Sequence, residues 1–491
     1  MEGATAQNAP ASPTQQDQWF AGGSGAASEP VESAAAEPQG SPEFNDADSP
    51  EFSPTVAPLF DWLNAEQPHR VFPTELFSER LGPKPAHLGP GRASDEMALP
   101  WRRPRTVALG HIMRRDVALS RRGVLGAEVA LATGSALIEP VLHWLTARPD
   151  PTPELTPGYL DDYEMSQLEN ATRVFRDCAE RRAGGLRRQA VVGQLCEITE
   201  LLENSYPDDI TRRLYSTVAE LAALAGSMAH EEGLDATAQK YFVLALRATK
   251  QARDGALGGE ILSRMAQQMV HLGYPRDALA LIDCAWQGSR DTASASLRSL
   301  FLLVEAWSYA HLGQAETCHR AVGAAQSAFA DSRPGEDPPW LAFGTADVIG
   351  MAGHAYRILS EHDPNQTVHA EPLIRQALAL RDPENVRDRA LDLIDLAVTY
   401  LLQSDLDGAC AASEEALALV DQVRFSAHVL AEMRSLQTQA ERYGSAPARR
   451  LAARLRDVLS PTYDGGYLGE TTTASIPGPA WAPTTAPTSL R

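Results

Sequence analysis

Before Arg70 the sequence has no lysine and no arginine, while aspartate and glutamate recur throughout that stretch. A DNA-recognition helix needs cationic and amide side chains aimed at phosphates and bases, so residues 1–69 do not supply one. The whole chain of 491 residues carries a formal net charge of -21, which argues against nucleic acid as the partner of its surface at large. Cysteine is scarce: Cys178, Cys196, Cys284, Cys318 and Cys410 stand apart, none in a C-x-x-C pair and each inside a helical pattern. They read as buried thiols in a reducing cytosol, with neither a disulfide nor a metal expected. Strand-like alternation is nearly absent. So are the glycine-rich phosphate loops, the G-x-S-x-G elbow, the H-E-x-x-H zinc helix and the dinucleotide fingerprint. His230-Glu231-Glu232 lacks the second histidine that a zinc helix requires. The chain is therefore expected to be no enzyme and to hold no cofactor.

What is present changes along the chain. Residues 1–57 are rich in Ala, Ser, Pro, Gly and Glu, with aromatics only at Trp19, Phe20, Phe44 and Phe52. Such a segment buries too little apolar surface to offset its ordering entropy, and a disordered acidic tail is predicted. Over 58–82, Leu59, Phe60, Trp62 and Leu63 precede Leu76, Phe77 and Leu81 in a short helical pattern. Residues 83–148 read as a linker and basic arm with one helix. Within it, Arg102, Arg103, Arg105, Arg114, Arg115, Arg121 and Arg122 crowd into 102–122 against one acid in that span, Asp116. They form a candidate contact for an anion or an acidic partner, or else a solvated arm. Ser120-Arg121-Arg122-Gly123 followed by apolar residues imitates a twin-arginine export signal. Its depth in the chain, Glu128 and Glu139 within the apolar run, and the unpaired cysteines count against export. Gly126 to Leu145 is instead predicted as an amphipathic helix broken at Pro140, too charged for a membrane span.

The stretch 206–460 repeats itself. Ala266, Ala306 and Ala397 are each followed three positions later by a bulky residue, Met269, Tyr309 or Tyr400. Seven positions after each alanine stands Gly273, Gly313 or Ser404, and nineteen after it Ala285, Ala325 or Ala416. That is helix, turn, helix. The same phase, with small insertions, picks up Ala225 to Ala245 and Ala352 to Ala377, at a drifting period of about 40 to 46 residues against the 34 of a strict tetratricopeptide array. One amphipathic hairpin cannot bury its own apolar face, and stacking neighbours does so. The predicted fold is all-α, a tetratricopeptide-like helical-hairpin superhelix. A hairpin over 158–205, with Val191, Leu195, Ile198 and Leu202 on one face, is expected to cap it, and 461–491 to form a disordered tail.

The inner wall of such an array is a groove. From the repeat phase, Arg264, Gln267, His271, Trp307, His311 and Tyr356 are its candidate lining, a polar and aromatic mixture suited to a peptide or helix with apolar anchors. The equivalent His271 and His311 end successive first helices, a capping or groove-edge role.

Specific strings add a resemblance. Leu76-Phe77-Ser78-Glu79-Arg80-Leu81-Gly82, Leu119-Ser120-Arg121-Arg122-Gly123-Val124-Leu125-Gly126, the stretch from Gly184-Gly185-Leu186-Arg187-Arg188 to Gly193-Gln194-Leu195, and Thr237-Ala238-Gln239-Lys240-Tyr241-Phe242 with Val243-Leu244-Ala245-Leu246 resemble the NsdA-type regulators of Streptomyces. The resemblance covers Trp62 to Ser460. It implies tetratricopeptide-like repeats behind a helix-turn-helix-like region and a role restraining sporulation and antibiotic production. At the front this chain departs from the family, where a basic helical region precedes the Leu-Phe-Ser-Glu-Arg string. The expected function is thus a cytoplasmic actinobacterial regulator that binds a protein or peptide in its groove, with no membrane partner. The second reading is a DNA-binding transcriptional regulator using the arginine arm, and the third an exported binding protein. Whether the chain pairs with a second copy stays open at this level.

Overall fold

The computed structural model describes residues 131–146, 155–181, 188–423 and 426–460. All of them belong to one compact unit. The acidic tail, the 58–82 piece, the arginines from Arg102 to Arg122, Gly184-Gly185, Arg187 and the 461–491 tail lie outside the described residues.

The described chain is all-helical apart from one short parallel bridge, β1 (Thr156–Pro157) on β2 (Asn204–Ser205). Fifteen α-helices follow one another among the described residues. They are α1 (Ser135–Thr146), α2 (Asp162–Arg181), α3 (Arg188–Leu201), α4 (Asp208–Glu231), α5 (Asp235–Ala252), α6 (Gly255–His271), α7 (Pro275–Gly288), α8 (Ala295–His311), α9 (Ala315–Ala330), α10 (Thr345–Ser360), α11 (Thr367–Leu380), α12 (Val386–Leu402), α13 (Leu406–Val423), α14 (Ala427–Arg442) and α15 (Ala446–Leu459). From α4 onward they pack as six hairpins, α4 with α5 through α14 with α15.

Local chemistry sets the boundaries. Side chains of Asp254, Ser294, Asn385, Ser426 and Ser445 accept from the third backbone N–H of the helix that follows, and Pro275 opens α7 where its missing N–H costs nothing. Gly273, Gly313 and Ser404, the three equivalent turn positions, all have positive φ, at 82°, 68° and 63°. The tight turn demands a left-handed residue, and Ser404 meets that demand without glycine's freedom. The phase alanines Ala225, Ala245, Ala266, Ala285, Ala306, Ala325, Ala352, Ala377, Ala397 and Ala416 are all buried, as close helix crossings require.

α1 corrects one expectation. The helix runs unbroken through Pro140, with Leu137, Ile138, Val141 and Trp144 buried. It lies against α5 and α7, the second helices of two successive hairpins. Gln239 holds both polar groups of the Ala132 backbone, at 2.9 Å each, and the Gly134 N–H donates to Asp277 at 2.8 Å. At the other end the Trp144 indole N–H donates to Thr249 at 3.1 Å. Its ring occupies the space that a Cβ on Gly258 or Gly288 would take. Anchors at both ends and four buried side chains outweigh the loss of one helical hydrogen bond at proline, a penalty of about 3 kcal/mol.

The thiols also need correction: Cys284 and Cys318 are buried, Cys196 and Cys410 half-buried, and Cys178 is exposed on α2. Arg188 is buried and paired with Glu232 at 2.9 Å, so it ties α3 to the end of α4. Among the described residues, no helix is long and apolar enough to cross a membrane.

Candidate functional site

The first helices of the six hairpins do not line an open trough. The N-terminal end of α14 returns to the C-terminal end of α4, so the superhelical turn closes on itself. At this seam Ser426 hydrogen-bonds Glu231, Arg387 pairs with Glu231 at 2.6 Å, and the His428 ring stacks on His271 at 3.9 Å between centroids. The closed turn surrounds a cavity with two lobes, of about 230 and 610 Å³, that share Glu260, Arg264, Gln267, His271 and Arg387 as walls. Side chains from α4, α6, α8, α10, α12 and α14 all reach it.

Of the six groove candidates the structure gathers four. Arg264, Gln267 and His271 line both lobes, and Trp307 lines the larger one. Arg264 is held by Glu260 and by the Ser227 hydroxyl at 3.1 Å. The Trp307 indole is engaged with the next repeat, donating to the Met351 carbonyl at 2.8 Å and standing edge-on to His354 at 4.8 Å. The other two candidates are corrected. Tyr356 faces the second helices: its hydroxyl lies 3.1 Å from His319 Nδ1 and its ring 5.2 Å from that of His369. His311 borders neither lobe; burial, with Arg357 and His354 beside it, pushes it down to about 3.

Histidines run through the seam. His230 Nδ1 donates to Asp235 at 2.6 Å, and its Nε2 stands 3.3 Å from His271 Nδ1. His271 is therefore sandwiched between His230, parallel at 5.7 Å, and His428. Burial first, and neighbouring cationic and imidazole groups second, hold His271 and His428 well below the ordinary histidine value. Both are neutral, which lets the rings stack without repulsion.

Carboxylates and guanidinium groups surround this stack. Arg357 meets Asp395 at 2.9 Å, Glu361 at 2.5 Å and, more distantly, Glu432. His354 donates to the second oxygen of Asp395 at 2.6 Å. Burial alone would raise Asp395, but His354 and Arg357 together hold it low. Arg381 serves three carboxylates, Asp392, Asp347 and Asp388. One guanidinium cannot neutralise three, so burial and the neighbouring acids push Asp392 up to about 7 despite that contact. Glu432 is raised by burial in the same way. In the small lobe Glu220 is raised to about 6 by burial, offset in part by Arg176 at 2.6 Å. Arg387 is enclosed by protein yet keeps a third of its side chain open to the cavity.

Among the described residues no group of three or more His, Cys, Asp or Glu side chains is arranged to hold a metal ion. Comparisons with protein-family models, with curated proteins and with solved structures find no match to this chain. Sequence reasoning missed His230, Glu260, His354, Arg381, Arg387, Asp392, Asp395, His428 and Glu432 as lining groups. Part of that set carried a signal: His230 stands five residues after Ala225, as His271 does after Ala266, and Asp395 stands two before Ala397, as Arg264 does before Ala266.

Proposed function

We propose that this chain is a regulatory binding protein that receives a segment of a partner protein in the cavity enclosed by its first helices. The observation that carries this reading is the two-lobed cavity lined from all six hairpins, where side chains from residues far apart in sequence converge on one space. A cavity of mixed apolar and charged walls is a recognition surface, and a ring of rigid hairpins holds it in shape without a guest. The ion pairs along the wall orient a guest, and the role proposed is non-catalytic. The resemblance to NsdA-type regulators supplies the output, restraint of development and secondary metabolism through a cytoplasmic protein partner.

Photo-cross-linking tests the proposal. A photo-reactive phenylalanine derivative is placed at Gln267, in the cavity wall, or at Arg320, exposed on α9. The expected result is one protein captured from position 267 in the producing cell, with the linked peptide identified by mass spectrometry, and none from position 320. Capture from position 320 alone overturns the reading.

A further inference from the structure

The larger lobe holds charges that its own wall does not balance. Where it joins the small lobe, the open guanidinium groups of Arg264 and Arg387 already hold Glu260 and Glu231. The walls that belong to the larger lobe alone carry Asp347, Asp388, Asp392, Asp395 and Glu432 against one guanidinium, that of Arg381. Asp395 is answered by His354 and, from behind the wall, by Arg357. Arg381 is divided among Asp347, Asp388 and Asp392 and is itself only 7% exposed. Glu432 makes no hydrogen bond among the described residues, with Arg357 4.0 Å away. The groups a guest can touch are therefore acids: the side chains of Asp347, Asp388 and Glu432 are 32%, 28% and 26% exposed. Leu341, Phe343 and Leu391 complete this part of the wall. Open carboxylates in excess of cations, beside apolar side chains, suit arginine, whose guanidinium forks onto carboxylates while its stem covers apolar surface.

The chain carries such a segment on a short tether. The arginines between Arg102 and Arg122, against Asp116 alone, are interleaved with Val107, Leu109, Ile112 and Met113. The described chain resumes at Leu131, and Gln239 of α5 holds the next residue, Ala132. One helical turn before Gln239 stands Asp235, which binds His230 and Gln268 of the cavity wall. Arg122 lies nine residues before Leu131 and Arg115 sixteen, spans of up to about 30 and about 50 Å when extended, so the arginines reach the cavity from this anchor. A tether of that length holds a segment at an effective concentration on the order of millimolar. Resting on the reading that the cavity receives a partner segment, we infer that before the partner arrives the larger lobe is occupied by the chain's own segment 102–122, with its arginines on Asp347, Asp388 and Glu432. The partner then enters by displacing it.

Purified full-length chain tests this with no partner present. A photo-reactive phenylalanine derivative replaces Phe343, which lines the larger lobe only, and an equal mixture of heavy- and light-isotope protein is irradiated at low salt. The expected product links position 343 to a peptide within 102–122 of the same chain. Its yield is expected to fall about fivefold when the seven arginines are replaced by glutamine, and to fall likewise in about 0.5 M salt. A second measurement titrates a labelled peptide of residues 100–124 onto the protein. It should bind the glutamine variant about tenfold more tightly than the wild type, in which the tethered segment competes. Adding Glu432→Gln to that variant should weaken the peptide about fivefold, as loss of one charge-assisted contact does. The cross-link and the tenfold ratio stand whether or not Glu432→Gln folds. Links from position 343 only to other parts of the chain or to a second copy overturn the inference. So does a peptide that binds both proteins equally or neither. In each of these cases capture of a partner from position 267 leaves the broader reading intact.

Discussion

Gln239 and Gln268 are buried glutamines on adjacent helices, α5 and α6, and they show how differently the two concave surfaces of this protein are finished. Between α5 and α7 the chain fills its own groove. Gln239 Oε1 and Nε2 both meet the Ala132 backbone, and Trp144 closes the far end against two glycines. In the small lobe Gln268 meets Asp235 with one end of its amide and nothing with the other. Gln287, beside Gly288 at the Trp144 end, also leaves its amide unmet, so the two surfaces differ in what covers them: the first is filled by the chain's own helix, and the second opens on the cavity.

The largest expected effect breaks the first surface. Trp144→Ala empties the space between Gly258 and Gly288 and is expected to destabilise the domain by about 4 kcal/mol, read as a shifted urea midpoint. Refilling is the sharper form of the same test. Gly288→Leu in the Trp144→Ala background should recover part of that loss, whereas alone it should destabilise.

On the cavity side the next effect is electrostatic. Arg381→Met leaves Asp347, Asp388 and Asp392 without their shared guanidinium and is expected to cost about 3 kcal/mol near pH 8. The cost should shrink towards pH 5 as these carboxyls take up protons. The wild type carries a related slope. Folded Asp392 keeps its proton up to about 7, while the unfolded chain releases it near the ordinary value of 3.8. The folded state therefore binds more protons across that window, and this group's contribution makes stability fall as pH rises through it. Calorimetry of Asp392→Asn and wild type between pH 4 and pH 8 checks this; a variant slope as steep as that of the wild type would contradict it.

The smallest effect returns to the two glutamines. Gln239→Met strands the N–H and C=O of Ala132 and is expected to cost about 2 kcal/mol. Gln268→Met removes an already unmet acceptor along with its bonds to Asp235, for a cost within about 1 kcal/mol. Equal costs in chemical denaturation would remove the contrast.

The hairpin array was legible because close crossings need small residues, and Ala266, Ala306 and Ala397 repeat at matching distances from their turns. The lining was legible only in part. Offsets of two before and five after the packing alanine lead to Arg264, Asp395, His230, His271 and Arg357, all in or behind the cavity wall. Tyr356 stands four after Ala352, and that one step turns it towards His319 and His369 on the other layer. His428, Glu432 and Arg387 follow from no local spacing. They reach the cavity because the turn closes, a property of accumulated rotation across hairpins, and the Ser426–Glu231 bond joins residues 195 apart. α1 was read as a helix, but its partners were hidden because Gly258 and Gly288 look like ordinary helix-weakening residues until an indole lies against them.

The meeting of α14 with α4 has a consequence for how this protein can change over generations. An open solenoid tolerates duplication or loss of a unit anywhere along its length, because each unit answers only to its neighbours. Here Glu231 near the start must find Ser426 and Arg387 near the end. Adding or deleting one hairpin would swing those residues apart, so the number of units is locked and variation is channelled into side chains at the cavity wall.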